Sequence, residues 1–234
     1  MHQKRAVVKI MNADADGDAE SRGRAVRAYG GISAAERRER RRTALLDAAL
    51  DLLAEGAASA VTKRAVCARA RLNDRYFYEH FADRDVLVQA LAGQLTADGI
   101  AAVISATLAA GPDLHEQVRA AADAALGFLA ADPRRQALVL ASHSDAALQS
   151  GRLSTQRDIA AAMAAVVREL RPPDPAAAPL DLDMTAYAVV SGTLELVAAW
   201  IRGEFRATRT HLTELIAALL LAGTAITPAA PEDR

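Results

Sequence analysis

The stretch that decides the fold of this chain is VTKRAVCARARLNDRYFYEHF, residues 61–81. Its pattern predicts two short helices joined by a tight turn. Thr62 is placed to cap a helix over residues 63–70, and Asn73 is placed to cap a second helix over residues 74–81. An arginine and a leucine between the two helices supply the turn, so the segment is predicted to be a helix-turn-helix.

The second helix has one apolar face and several polar ones. Phe77 and Phe81 are four residues apart and are predicted to face the core. Arg75, Tyr76 and Tyr78 lie on the other faces, and a helix this short fits into the major groove of DNA. The pattern alone also allows a surface helix whose tyrosines pack at its edge.

A longer helix is predicted before this segment. Ser33 and Glu36 have the spacing of a capping box, and apolar residues recur at helical spacing as far as Glu55. Five arginines stand between Arg37 and Arg42. They form either a solvated helical turn or a ridge that faces phosphates.

Composition favours an all-α fold. Hydrophobic residues make up 52% of the chain and aromatic residues only 4%, and much of the apolar content is alanine, the best helix former. The single cysteine, Cys67, excludes an intrachain disulfide and a cysteine-cluster zinc site, and it is expected to be a small core residue. We expect a cytoplasmic protein without a metal or cofactor, and no membrane span, because no apolar stretch of about 18 residues lacks charges.

The net charge of −1 conceals an asymmetry along the chain. Residues 1–84 carry a net charge of +5, and residues 85–234 carry −6. A basic first part on an acidic remainder predicts a polyanionic partner for the first part only.

The rest of the chain is predicted to be helical and to form a second, larger domain. Further helices are predicted over residues 84–109, 113–131, 133–150, 153–170, 182–203 and 209–222, with a break at Gly151 and a proline-rich loop at residues 171–179. The predicted domains are a flexible tail at residues 1–32, a helix-turn-helix domain at 33–83, a helical ligand-binding and dimerisation domain at 84–225, and a C-terminal tail at 226–234.

The last two predicted helices have wide apolar stripes. They either complete the core of a monomer or pair with the same helices of a second chain in a four-helix interface. The candidate interface residues are Val190, Thr193, Val197, Ile201, Leu212, Leu215, Ile216 and Leu219.

Residues 41–87 resemble the DNA-binding domain of the TetR family of transcriptional regulators. The matching features are LLDAALDLLAE at residues 45–55, VTKRAVCARA at 61–70, and the pattern L-N-x-x-x-x-Y-x-H-F at 72–81, followed by Arg84 and an aliphatic helix. The resemblance implies a homodimer on a palindromic operator, with half-sites roughly 34–36 Å or more apart. It also implies a repressor that a small-molecule effector releases from DNA.

The resemblance assigns candidate DNA contacts within this segment. The expected positioning and phosphate contacts are Thr62, Lys63, Tyr78, His80 and Arg84, with Arg41 as a further DNA-binding candidate, and the expected base-reading residues are Asn73, Arg75 and Tyr76.

The chain departs from the family at three positions. The family usually has glycine at the place of Arg71, and it often has glycine at the place of Arg75 and an aromatic residue at the place of Ala58. A non-glycine residue in the turn costs about 1 kcal/mol if its backbone is left-handed. Arg75 either reads a guanine or binds a phosphate.

By the same resemblance, the helices over residues 84–170 enclose a ligand cavity. Phe128, His143 and Met163 are the candidate lining residues, and the low aromatic content favours a small apolar effector.

Two alternative functions remain. An enzyme is disfavoured by scattered carboxylates and the lack of a Gly-rich phosphate loop. An architectural DNA-binding protein would have the same N-terminal segment but no effector.

Overall fold

A computed structural model of the chain describes residues 33–56, 58–170 and 179–223, and this part is helical apart from short connections. The helices are α1 (Ala34–Gly56), α2 (Lys63–Ala70), α3 (Asp74–Tyr78), α4 (Arg84–Ala109), α5 (Leu114–Ala131), α6 (Pro133–Ser144), α7 (Ala146–Leu170), α8 (Pro179–Ile201) and α9 (Arg209–Gly223). The all-α prediction is confirmed. The predicted tails and nearly all of the proline-rich loop lie outside the described residues.

The first three helices form a small unit around one apolar core. We call α1–α3 the head and α4–α9 the body. Phe77 is fully buried and Phe81 is 3% exposed, and both belong to a cluster with Leu45 of α1 and Leu87 of α4. Leu138 of α6 joins the same cluster. The head is therefore packed on α4 and α6, and its core continues into the body.

The body contains two further apolar clusters. One joins α5, α8 and α9 around Leu126, Val197 and Ile216, and the other joins α7 and α8 around Ala164 and Val190. Alanine at many of these positions lets the helices approach closely. The prediction of a larger helical region behind the N-terminal helices is confirmed.

The predicted break at Gly151 is wrong. The helix ends at Ser144 and a new one begins at Ala146, so Gly151 lies inside α7. Asp145 makes the break, because its backbone is extended and its carboxylate accepts the amide proton of Ala147 at 3.0 Å, as an N-cap does. One glycine inside a helix costs about 1 kcal/mol, and this long packed helix tolerates that cost.

Two helices are long and apolar enough to cross a membrane by length and composition. They are Arg84–Ala109 and Leu180–Ile201, each with a mean hydropathy of 1.4. Both contact other helices of the body, α4 against α5 and α7, and α8 against α7 and α9. Core helices of soluble proteins meet the same criterion, so the absence of a membrane span stays a prediction.

Replacing Phe77 by alanine is expected to destabilise the head. The ring is fully buried, so its removal leaves a cavity and lowers the free energy of unfolding by about 3–5 kcal/mol. Thermal unfolding followed by circular dichroism measures the change. Phe205→Ala is the control, because that ring is 52% exposed and its loss is expected to change stability little. Equal losses in the two variants would contradict the placement of Phe77.

Candidate nucleic-acid interface

Side-chain caps begin both helices of the helix-turn-helix. The Thr62 hydroxyl accepts the amide proton of Ala65 at 3.2 Å, and the Asn73 Oδ1 accepts that of Tyr76 at 3.3 Å. Both predicted caps are confirmed. The start of α3 is thus fixed by its own sequence.

The end of α3 comes earlier than predicted. The helix has five residues and ends at Tyr78, because Glu79 and His80 form a turn. The amide of Phe81 still donates to the carbonyl oxygen of Phe77 at 2.9 Å. This bond keeps Phe81 directed into the core.

The turn between α2 and α3 contains a left-handed arginine. Arg71 has φ 55° and ψ 40°, and it is the one positive-φ residue other than glycine in the described chain. Its amide donates to the carbonyl oxygen of Ala68 at 3.2 Å, which closes α2. Because a side chain in this conformation crowds its own backbone, Arg71 costs about 1 kcal/mol relative to glycine.

Lys63 at the start of α2 is tied to α3. Its ammonium group lies 2.6 Å from an Asp74 carboxylate oxygen and 3.3 Å from the Tyr78 hydroxyl. The same nitrogen lies 4.9 Å from the centroid of the Tyr78 ring. The hydrogen bond with Lys63 lowers the pKa of Asp74 and the bond with Asp74 raises that of Lys63, so both groups are charged at neutral pH.

Glu79 contacts arginines from two helices. Its backbone carbonyl accepts a hydrogen bond from Arg38 of α1 at 3.1 Å. Its carboxylate lies 3.4 Å from a terminal nitrogen of Arg41 and 3.4 Å from Nε of Arg75. The Arg41 guanidinium also lies over the Tyr76 ring, 4.6 Å from its centroid. We call Arg38, Arg41, Arg75 and Glu79 the Glu79 cluster.

The outward side of α3 carries the most accessible of these groups. The Arg75 side chain is 84% exposed, and Tyr78 is 58% exposed. We define the recognition surface as the side chains of Arg41, Lys63, Asn73, Asp74, Arg75, Tyr76, Tyr78 and Glu79. It presents cations, hydroxyls and an amide on α3 and on the parts of α1 and α2 beside it, and these groups bond to phosphates and to base edges.

Comparison with known proteins identifies this segment. A family model described as bacterial regulatory proteins of the tetR family matches residues 45–91. This match spans α1 from its first buried leucine, all of α2 and α3, and the start of α4. Residues 45–91 therefore match the N-terminal region of tetR-family regulatory proteins.

Solved structures of similar fold align with most of the chain. A TetR-like transcriptional regulator from Rhodococcus sp. RHA1 is 21% identical with a TM-score of 0.61, and the alignment covers 83% of this chain and 99% of that one. The fatty acid degradation regulator FadR from Bacillus halodurans is 15% identical with a TM-score of 0.63, over 78% and 95%. The multidrug binding protein EbrR, complexed with imidazole, is 22% identical with a TM-score of 0.56, over 84% and 95%. No curated protein matches by sequence. At these identities the structures establish the fold.

His80 lies at the edge of the head with a half-buried side chain. Its Nε2 is buried without a hydrogen bond from the described residues. Burial lowers the pKa of His80, and the charges of Arg38 and Arg41 lower it further. The imidazole is therefore neutral at neutral pH, which weakens the case for the predicted phosphate contact.

Arg84 connects the head to the body. Its guanidinium donates to the carbonyl oxygens of Val61 at 3.2 Å and Ala58 at 3.0 Å, and to the Asp145 carboxylate at 2.6 Å. The bond with Arg84 lowers the pKa of Asp145. This pair therefore stabilises the fold above the usual carboxyl pKa, and the contribution is lost as pH falls through the lowered value. The predicted phosphate contact of Arg84 is untested, and its bonds favour a structural role.

A second arginine makes a similar connection at the other end of α6. Arg134 lies 2.9 Å from Asp47 and 2.6 Å from Asp51, both on α1, and it also bonds to Asp132. One end of α6 is thus ion-paired to the head through Arg134. The other end is connected to it through Arg84, which pairs with Asp145 and donates to the carbonyl oxygens of Ala58 and Val61.

The three candidate ligand residues have different neighbours. Phe128 lies under the guanidinium of Arg135, 3.9 Å from the ring centroid. His143 bonds through Nε2 to Glu195 of α8 at 3.1 Å, and Met163 packs in the α7–α8 cluster. In the described chain the three side chains thus take part in separate contacts, and their prediction as one ligand site stays untested.

A surface cleft lies elsewhere, at the junction of head and body. It has a volume of about 670 Å³ and is lined by Ala58, Ser59, Val61, Thr62, Lys63, Arg84, Ser144 and Asp145. Among the residues that the structure describes, no group of three or more His, Cys, Asp or Glu side chains could hold a metal ion.

Four of the predicted interface residues are buried within the chain. Val190, Val197, Leu212 and Ile216 are each at most 9% exposed and pack against other helices of their own chain, while their part in an interface stays an untested prediction. Helical periodicity showed that an apolar stripe existed on each helix but not which side the neighbouring helices cover. Thr193 and Ile201 are partly buried, and Leu215 and Leu219 are 40% and 41% exposed.

Sequence reasoning missed Glu79, Arg38, Asp145 and Arg134. Glu79 had a local signal, because it stands four residues after Arg75, the spacing of a side-chain ion pair. The partners of Arg38 and Asp145, and the two α1 partners of Arg134, are distant in sequence, and the tertiary fold brings them together.

Replacing Arg71 by glycine is expected to stabilise the head by about 1 kcal/mol, because glycine adopts the left-handed conformation without strain. Chemical denaturation measures the difference. Arg71→Ala is the matched control, since it removes the same side chain beyond Cβ but keeps the strain. An equal gain in both variants would show that backbone strain is not the cause.

Proposed function

We propose that this chain is a homodimeric transcriptional regulator that binds a palindromic DNA operator through α3 and acts as a repressor that a small apolar effector releases. The observation that carries the proposal is the recognition surface, in which the most exposed side chain, Arg75, stands on a capped five-residue helix anchored in the head core. The family match over residues 45–91 supports it.

The proposed DNA contacts are assigned by the exposure and position of each side chain. Arg75 is the leading base reader, because its planar fork can donate two hydrogen bonds to guanine and its side chain is the most accessible. Asn73 caps α3 through Oδ1 but keeps its amide donors for a base or a phosphate. Lys63 and Tyr78 are suited to phosphates, because they lie together at the edge of the surface.

The proposed effector response runs through the connections of α6. Arg134 and the Arg84–Asp145 pair tie its two ends to the head, and His143 ties it to Glu195 of α8. A ligand that favours one position of α6 would therefore change the position of the head. Such a ligand acts only through its different affinities for the two arrangements. A neighbour of the same fold is a multidrug binding protein complexed with imidazole, which supports a small-molecule effector for this chain.

The proposed dimer interface is an apolar face of α8 and α9. Met184 and Tyr187 of α8 are 61% and 43% exposed, and Leu215 and Leu219 of α9 have exposures of 40% and 41%. Gly192 has open space over its backbone, so a second helix could approach closely. Two copies of this face would form a four-helix interface.

Selection from a randomised duplex pool tests DNA recognition. The wild-type protein is expected to enrich a palindromic motif, and its affinity is expected to fall steeply with salt. Arg75→Ala is expected to lose about 1–3 kcal/mol of discrimination at one base pair in each half-site. Arg206→Ala, at an exposed position of the body, is the control and should leave the motif unchanged. Failure of the wild-type protein to enrich any motif would refute the proposal.

Light scattering after gel filtration tests the dimer. Leu219→Glu is expected to yield monomers, because a charge would be buried in the interface without a partner. Leu108→Glu is a matched control, since Leu108 of α4 is 39% exposed against 41% for Leu219 and lies outside the proposed face. A Leu219→Glu protein that remains dimeric would remove α9 from the interface.

A further inference from the structure

We propose that Asp74 and Glu79 determine DNA specificity, because they hold the cations of the recognition surface in fixed positions and so weaken non-specific binding more than operator binding. This inference rests on the proposed DNA-binding function and deepens it. Both residues are acidic, and acids next to a DNA-binding surface oppose phosphate binding. Their placement therefore needs a compensating role.

Asp74 holds the side chains at the edge of the recognition surface nearest α2. Its carboxylate lies 2.6 Å from the Lys63 ammonium group, which also reaches the Tyr78 hydroxyl. One acid thus fixes two candidate DNA contacts that belong to different helices. Without it, the lysine side chain could adopt many rotamers and follow any phosphate nearby.

Glu79 holds the cations at the centre of the recognition surface and on its α1 side. One carboxylate oxygen is paired with Arg75 and the other with Arg41, while the backbone carbonyl of the same residue accepts from Arg38. Arg41 is further held over the Tyr76 ring. The leading base reader and two arginines of α1 are therefore positioned by one residue.

The effect on non-specific binding follows from charge. Binding to arbitrary DNA comes almost entirely from cations that neutralise phosphates. A cation paired with a carboxylate contributes less, because the acid must be left unpaired or must stay close to the phosphate. Asp74 and Glu79 therefore suppress the sequence-independent part of binding.

The effect on operator binding is smaller, because a base contact depends on geometry as well as on charge. A guanine accepts two hydrogen bonds from an arginine only when the guanidinium plane is correctly placed. An arginine already held near that position loses less conformational freedom on binding. At the operator, this ordering offsets part of the repulsion that the acid causes.

The test compares affinities for two duplexes. One is the duplex most enriched by the wild-type protein from a randomised pool, and the other has the same base composition in scrambled order. The variants are Glu79→Gln and Asp74→Asn, which remove the charge and keep the shape. Glu55→Gln is the control, because Glu55 pairs with Arg69 at 2.5 Å and lies 14 residues beyond Arg41 on α1, about 21 Å along the helix.

Each recognition-surface variant is expected to bind the scrambled duplex about fivefold more tightly, the effect of freeing one exposed ion pair. Binding to the selected duplex should change less, so the ratio of the two affinities falls. The salt dependence for the scrambled duplex should steepen, by up to about 0.9 in the logarithmic slope for each cation released. Glu55→Gln should leave both the ratio and the slope unchanged.

An affinity ratio that stays at the wild-type value in both variants would overturn the inference, since general electrostatic repulsion alone shifts both affinities equally. The same change in Glu55→Gln would also overturn it. If the melting curve shows that Glu79→Gln fails to fold, the affinity ratio of Asp74→Asn alone tests the inference. A wild-type protein that enriches no motif would instead refute the proposed function.

Discussion

Burial of Phe77 is the interaction on which the recognition surface depends. A helix of five residues has no stability of its own in water, because forming the first turn costs more than its few hydrogen bonds return. Phe77 anchors α3 in a core made with α1 and α4, and Phe81 holds the chain just beyond the helix. Burial of Phe77 therefore fixes the positions of the exposed side chains of α3.

The same anchoring explains how the surface can combine opposite charges. With the backbone of α3 fixed, Asp74 and Glu79 stand at set distances from Lys63, Arg41 and Arg75. Exposed ion pairs contribute little to stability. Their role here is to hold the cations in place. A head built this way presents its cations in an ordered arrangement before any partner binds.

The connection between head and body is made by polar groups around an apolar contact. Leu138 and Ala141 of α6 reach the head core, while the ion pairs of Arg84 and Arg134 stand at the two ends of the same helix. Apolar packing fixes the separation, and the ion pairs resist sliding and rotation because they require particular distances. Movement of α6 therefore has to move the head with it or break these bonds.

The sequence by itself determined the all-α fold, the two caps at Thr62 and Asn73 and the inward face of Phe77, because caps and helical periodicity act within a few residues. Only the tertiary structure decided that Asp145 instead of Gly151 ends a helix and that Arg84 is held by the protein. It also decided that Val197 and Ile216 face inward. These outcomes depend on which groups meet across the bundle, because Arg84 pairs with Asp145 at the break and the neighbouring helices cover Val197 and Ile216.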